Sequence, residues 1–254
     1  MPRHIARMLI GLMVLAALSP QGGAAEIKVL TAGAMRGVLA ELLVPFAKAT
    51  HHSVVLDNAT AGVLAKRIEG GEAFDLAIIP SKVVDALIDK GRLLRDGRVD
   101  VAKVGIGVAV KEGRALPDIS TVDALKRTLL DAEAVAYIDP KSGGSSGVYF
   151  DRLIDQLGIG EQVRRKARLK QGGYVAELVA NGEAEVAVHQ MSEIVPVKGV
   201  VLVGPLPAEI QNFTVYSAAV GASAREPAAA KTLIDHLAGA SAAPALKAKG
   251  MDKP

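Results

Sequence analysis

The stretch SVVLDNATAGVLAKRIEGGEAFDLAIIPSKVVDALIDKG, residues 53–91, reads as two successive strand–helix units. Residues 53–57 and 74–79 are short apolar runs rich in β-branched side chains, as strands require. Between them, residues 62–71 place apolar side chains at helical spacing and stop at the pair Gly70-Gly71. Residues 82–91 repeat the helical pattern and stop at Gly91. Strands that are apolar at nearly every position, alternating with amphipathic helices, predict a parallel sheet covered on both faces.

The same alternation extends in both directions. Upstream, 27–30 reads as a strand, and 37–50 as a helix with Leu39, Leu42, Leu43 and Phe46 on one face. Pro45 falls late in that helix and predicts a kink. Downstream, 99–113 is a strand-like run long enough to leave one lobe and enter another. A second series follows: helix 121–132, strand 134–138, loop 139–147, helix 148–159 and helix 173–184. The run AEVAVHQMSEIVPVKGV, residues 184–200, reads as a buried strand interrupted by His189 and Gln190. Residues 213–223 read as a strand and 227–239 as a closing helix, with a frayed Ala-rich tail. The expected architecture is α/β and two-lobed, with parallel-rich sheets flanked by helices and a ligand cleft between the lobes. Lobe I is expected over 26–108 and 218–254, and lobe II over 109–217. Clefts at strand ends in such sheets are where ligands bind.

Residues 1–25 have the layout of a cleaved secretory leader: Arg3 and Arg7, an apolar stretch from Met8 to Leu18, then small residues before Glu26. A retained anchor is the rival, but the apolar part is shorter than the roughly 20 residues a membrane span needs. The full chain has 30 basic and 27 acidic residues, a formal charge of +3. Without Arg3 and Arg7 the balance is 28 to 27, and the signs alternate along the chain. That argues against nucleic acid as a partner. There is no cysteine, so an exported chain of this length relies on its core rather than on disulfides.

Four loops join strand ends to helix starts and are built from small residues: 31–35 (TAGAM), 58–62 (NATAG), 142–147 (SGGSSG) and 171–174 (QGGY). Small residues let backbone N–H groups approach a bound group, and helix N-termini favour anions. The candidate ligand-contacting residues are therefore Gly33, Ala34, Met35, Arg36, Thr60, Ala61, Lys141, Ser145, Ser146, Gly172, Tyr174, His189 and Gln190. Several have a plain structural alternative. Arg36 and Lys141 also read as solvated cations, Tyr174 as core packing, and His189 and Gln190 as a satisfied strand end. SGGSSG lacks the Gly-Lys-Ser/Thr of a nucleotide loop. Gly143, Ser145 and Gly147 match the spacing of a nucleophile elbow, but no Asp and His follow in a convincing triad arrangement, and a helix-capping loop is the plain reading. The five histidines show no zinc spacing; His51 and His52 read as a solvated turn and His236 as a surface residue. No metal and no cofactor is expected.

The order of these loops resembles the periplasmic molybdate-binding family, across essentially the whole chain after the leader. The carrying segments are VLTAGAMRGVLAELLVPFAKAT, NATAGVLAKRIEGGEAFDLAIIPSKVVDAL, YIDPKSGGSSGVYFDRLIDQLGI and VAELVANGEAEVAVHQMSEI. The resemblance implies a type II periplasmic solute-binding fold that closes over its ligand. It also implies that Ser146 and Gly172 donate backbone N–H groups to that ligand. The family's oxyanion-binding side chains do not carry over: its two serine positions are Ala34 and Ala61 here, and its tyrosine position is Gln190. A buried dianion short of donors is costly, so a small organic carboxylate is expected in place of molybdate. Arg36, Lys141 and His189 are expected to supply charge, and Thr60, Ser145 and Ser146 hydroxyls. The leading expectation is a monomeric periplasmic solute-binding protein that captures a small anion for an ABC permease. The same fold family includes a periplasmic aconitate isomerase. The alternative it implies is an isomerase that shifts a double bond in a tricarboxylic acid, with His189 as its catalytic base.

Overall fold

The computed structural model describes residues 23–254; the expected leader lies outside the described residues except for its last three positions. Strand β1 (Glu26–Ala32) turns through a 3-10 segment at Gly33–Met35 into helix α1 (Arg36–Thr50). Strand β2 (Ser53–Ala59), helix α2 (Ala61–Glu69), strand β3 (Leu76–Pro80) and helix α3 (Ser81–Asp89) follow. The long strand β4 (Val99–Lys111) leads to α4 (Val122–Asp131), β5 (Val135–Ile138), α5 (Ser145–Gln156), α6 (Gly160–Arg165) and β6 (Ala167–Lys170). Then come α7 (Ala176–Ala180), β7 (Val186–Gln190), α8 (Met191–Ile194) and β8 (Val200–Pro205). Strand β9 (Phe213–Val220) returns, and α9 (Pro227–Ala238), α10 (Ala243–Ala248) and β10 (Met251–Asp252) close the chain.

The strands pair in the order β2-β1-β3-β9-β4-β7-β5-β6. Strand β1 is parallel to β2 and β3, and β5 is parallel to β6 and β7. The two-lobed α/β fold is as expected. The sheets are mixed, however, because β9 is antiparallel to both β3 and β4, and β4 is antiparallel to β7. Strands β4 and β9 carry the chain between the lobes in opposite senses, and neighbours that do so pair antiparallel.

The apolar packing follows these halves. One cluster gathers Leu30, Leu64, Ile78 and Val104 with Tyr216 and Leu233. Others gather Ile106, Phe150 and Val188, and Ala109, Ile138 and Val179. Tyr137 meets Phe150 edge-on at 5.0 Å, a favoured aromatic geometry. Where the packing changes sides, between Val104 and Ile106 on β4, Gln211 acts as a short strand. Its side chain accepts from Ile106 N and donates to Ile106 O, both at 2.9 Å.

Local chemistry sets the element ends. Thr121 caps α4 by accepting from Ala124 N at 3.1 Å. Asp75 is buried just before β3 and accepts from three backbone N–H groups: Lys28, Arg225 and Glu226. It ties β1 to the start of α9. Three expectations change. The helix expected over 173–184 shrinks to α7, because Gly173 and Gly182 sit at φ of 74° and 81° and break it on both sides. The tail is not frayed: β10 pairs with β4, and Met251 is buried. His236 is half-buried on α9 and bonds Leu42 O at 3.0 Å, so it is not a surface residue. No helix among the described residues is long and apolar enough to cross a membrane.

Candidate functional site

Strand β7 ends on His189 and Gln190, and the chain turns at once into α8, which brings Glu193 back beside the histidine. Ser146, in the first turn of α5, faces His189 from the neighbouring strand–helix unit. Its Oγ lies 2.8 Å from His189 Nδ1, a hydrogen bond whose direction follows the imidazole tautomer. On the other side of the ring, Nε2 lies 3.3 Å from Glu193 Oε2. That approach is out of line for a hydrogen bond, and among the described residues Nε2 has no hydrogen-bond partner. All three side chains are buried, His189 and Ser146 at 2% exposure and Glu193 at 6%. Buried ionisable groups of this kind are ordinarily paired or functional.

A cavity of about 370 Å³ opens over these residues, between the ends of β1 and β2 on one lobe and the starts of α5 and α8 on the other. Gly33, Ala34, Arg36, Thr60, Ala61, Ser145, Ser146, Gly172 and His189 line it. The fold thus brings together nine of the thirteen residues singled out in the sequence. Four lie elsewhere. Met35 is in the core at 1% exposure, because the 3-10 turn rotates it inward. Lys141 points to solvent from the turn before Gly143. Gln190 lies behind the cavity wall, donating to Ser145 Oγ at 3.0 Å and Thr214 Oγ1 at 2.9 Å. Tyr174 sits under the guanidinium of Arg36, 5.9 Å from ring centroid to Cζ, a cation–π contact between the lobes.

The expected hydroxyls already have partners. Thr60 donates to Ser142 O at 2.6 Å, Ser146 is bonded to His189, and Ser145 accepts from Gln190. The cavity also holds residues that the sequence reading missed: Glu193, Tyr216, Asn58 and Gln171. Burial, then the charge of Glu193, holds the Tyr216 hydroxyl above its ordinary value, with Ser145 beside it. It therefore remains a protonated donor at neutral pH. Gly33 has a specific role here: a Cβ on it would fall 2.5 Å from Glu193 Oε1. Among the described residues, no group of three His, Asp or Glu side chains is placed to hold a metal ion.

With this geometry in hand, the known proteins it resembles are informative. A family model for bacterial extracellular solute-binding proteins matches residues 27–252. An aconitate isomerase from a Pseudomonas species is 34% identical over 231 residues, 88% of this chain and 86% of that protein. The molybdate-binding protein ModA of Escherichia coli K12 is 27% identical over 238 residues, 92% of this chain and 90% of that protein. Among solved structures, the periplasmic molybdate-binding protein of Azotobacter vinelandii superposes with a TM-score of 0.75 at 22% identity. It covers 90% of this chain and 99% of its own, and shows the shared fold.

Proposed function

The chain belongs to the bacterial extracellular solute-binding protein family, and on that premise we propose that its cleft binds a small polycarboxylate and shifts a double bond within it. One observation carries the proposal: the cavity is walled by a buried imidazole–carboxylate pair, His189 and Glu193, 3.3 Å apart. A cleft that only captures an anion gains nothing from a carboxylate in its wall, which repels the ligand. A 1,3-proton shift needs a group that takes a proton from a methylene and a group that returns one. His189 and Glu193 place two groups capable of these roles side by side in the cavity wall.

In the reaction, one C–H bond of the methylene breaks and the proton passes to the pair. The double bond migrates through an allylic carbanion stabilised by the adjacent carboxylates. A proton then bonds to the former vinyl carbon, so the formula is unchanged and no redox partner is needed. Positioned acid–base groups of this type contribute on the order of 10²–10⁴-fold in rate. Ser146 fixes the imidazole through Nδ1. Arg36 at the mouth and the N-terminal ends of α2 and α5 favour the substrate carboxylates. Ala34 and Ala61 leave the wall without the hydroxyls that would ring a tetrahedral oxyanion. The aconitate isomerase relative, at 34% identity, supports this substrate class.

The second reading is capture of the same class of anion for an ABC permease, without turnover. The family-model match favours it. Both readings place the protein in the periplasm after cleavage of the leader. Incubating the protein with trans-aconitate and following cis-aconitate by chromatography separates them. Turnover that disappears in His189→Ala supports the isomerase. Saturable calorimetric binding with no product supports capture and overturns the isomerase.

A further inference from the structure

The two lobes meet across the cleft at a pair of glycines. Gly62, in the first turn of α2, donates its N–H to Gly143 O at 3.1 Å. Nearby, Thr60 Oγ1, two residues before Gly62, donates to Ser142 O, one before Gly143, at 2.6 Å. The approach is too close for side chains. A Cβ on Gly62 would lie 2.8 Å from Gly143 Cα and 3.0 Å from Ser142 O. A Cβ on Gly143 would lie 2.7 Å from Gly62 Cα. The nearest neighbours are backbone atoms, which cannot swing away as a side-chain tip does.

The two glycines are not equivalent. Gly143 has φ of 71°, a left-handed conformation that favours glycine for its own sake. Gly62 does not; it is an ordinary helical residue, where alanine is the better helix former. The three atoms nearest its missing Cβ all belong to the opposing loop at 142–143. The requirement comes from the other lobe.

We propose that Gly62 and Gly143 form the stop that sets how far the two lobes close, and that Gly62 is a positioning residue for closure. The contact closes the floor of the cleft beside the cavity, since Thr60 and Ala61 line the cavity and Gly62 follows them directly. An alanine at 62 acts as a wedge between the lobes while leaving α2 intact. This holds whatever small molecule fills the cavity, so it stands or falls separately from the isomerase proposal.

The test uses the absence of cysteine from the chain. Spin labels are placed on the exposed positions Lys66 on α2 and Lys141 on the facing turn, through Lys66→Cys and Lys141→Cys. Electron-spin distance distributions are measured in buffer alone and with saturating trans-aconitate, with and without Gly62→Ala, together with thermal unfolding. The expected result is a short, narrow distance in the parent chain. In Gly62→Ala that population is lost to a longer, broader one, with a cooperative thermal transition retained. A Gly62→Ala distribution equal to the parent's, or a parent that never shows the short distance, overturns the proposal.

Discussion

His189 is held at the end of β7 with one ring nitrogen on Ser146 and the other facing Glu193, so its chemistry depends on two neighbours as well as itself. Gly33 tests that dependence most selectively. Its absent Cβ makes room for the tip of the Glu193 side chain, 2.5 Å away. A flexible tip yields cheaply, so Gly33→Ala is expected to cost stability only about 1 kcal/mol. The displaced carboxylate is expected to lower turnover by about 100-fold, the scale of a 1 Å misplacement. Thermal denaturation and initial rates on one preparation check both halves. Ser146→Ala is expected to lower kcat more than it raises KM, since the hydroxyl orients the ring rather than holding the substrate; steady-state kinetics decide it. His189 was legible in the sequence because a histidine ending an apolar strand is conspicuous. Glu193 was not. The run 184–200 reads as a strand that ends in the segment His189 to Glu193, and only the turn into α8 after Gln190 folds the carboxylate back beside the ring.

Polar side chains join separate elements at two junctions, and those junctions carry measurable stability. Asp75 accepts three backbone N–H groups while 5% exposed. Asp75→Ala leaves buried donors without partners and is expected to cost about 3 kcal/mol, read from denaturant midpoints. A second junction joins β1, β2 and α2: Arg67 bonds both Asp57 and Glu72, and Lys28 bonds Glu72 at 2.9 Å. Hydrogen bonds from Arg67 and then Lys28 hold the Glu72 carboxyl at about 2, below its ordinary 4.5. A carboxyl lowered on folding stabilises above its unfolded value and loses that contribution as pH falls toward the folded one. Stability is therefore expected to decline from about pH 4.5 toward pH 2, and Glu72→Gln to flatten that slope. The strand–helix alternation was readable because apolar period and glycine stops are local signals. The antiparallel sense of β4 and β9 was not, since strand direction is set by how the chain returns between lobes. Nor was β10, whose two residues carry no period.

Across the whole molecule, the four small-residue loops turn out to serve two purposes. Loops 31–35 and 171–174 border the cavity, as the sequence suggested. Loops 58–62 and 142–147 do so too, but their glycines also let the lobes touch, a use of small residues that no single segment reveals. The two-lobed fold was thus legible from pattern and resemblance, while the approach of Glu193 to His189 and the lobe contact needed the folded chain. The division of the chain at 109 and 218 remains part of the proposal that closure brings these loops together over a ligand. Its central claim is that a bound polycarboxylate loses and regains a carbon-bound proton at His189 and Glu193. Proton magnetic resonance of trans-aconitate in deuterated water tests this directly. The wild-type protein is predicted to wash deuterium into the methylene and produce the cis isomer, with both signals lost in His189→Ala. A ligand-induced thermal shift with neither deuterium in the methylene nor any cis isomer formed would contradict it.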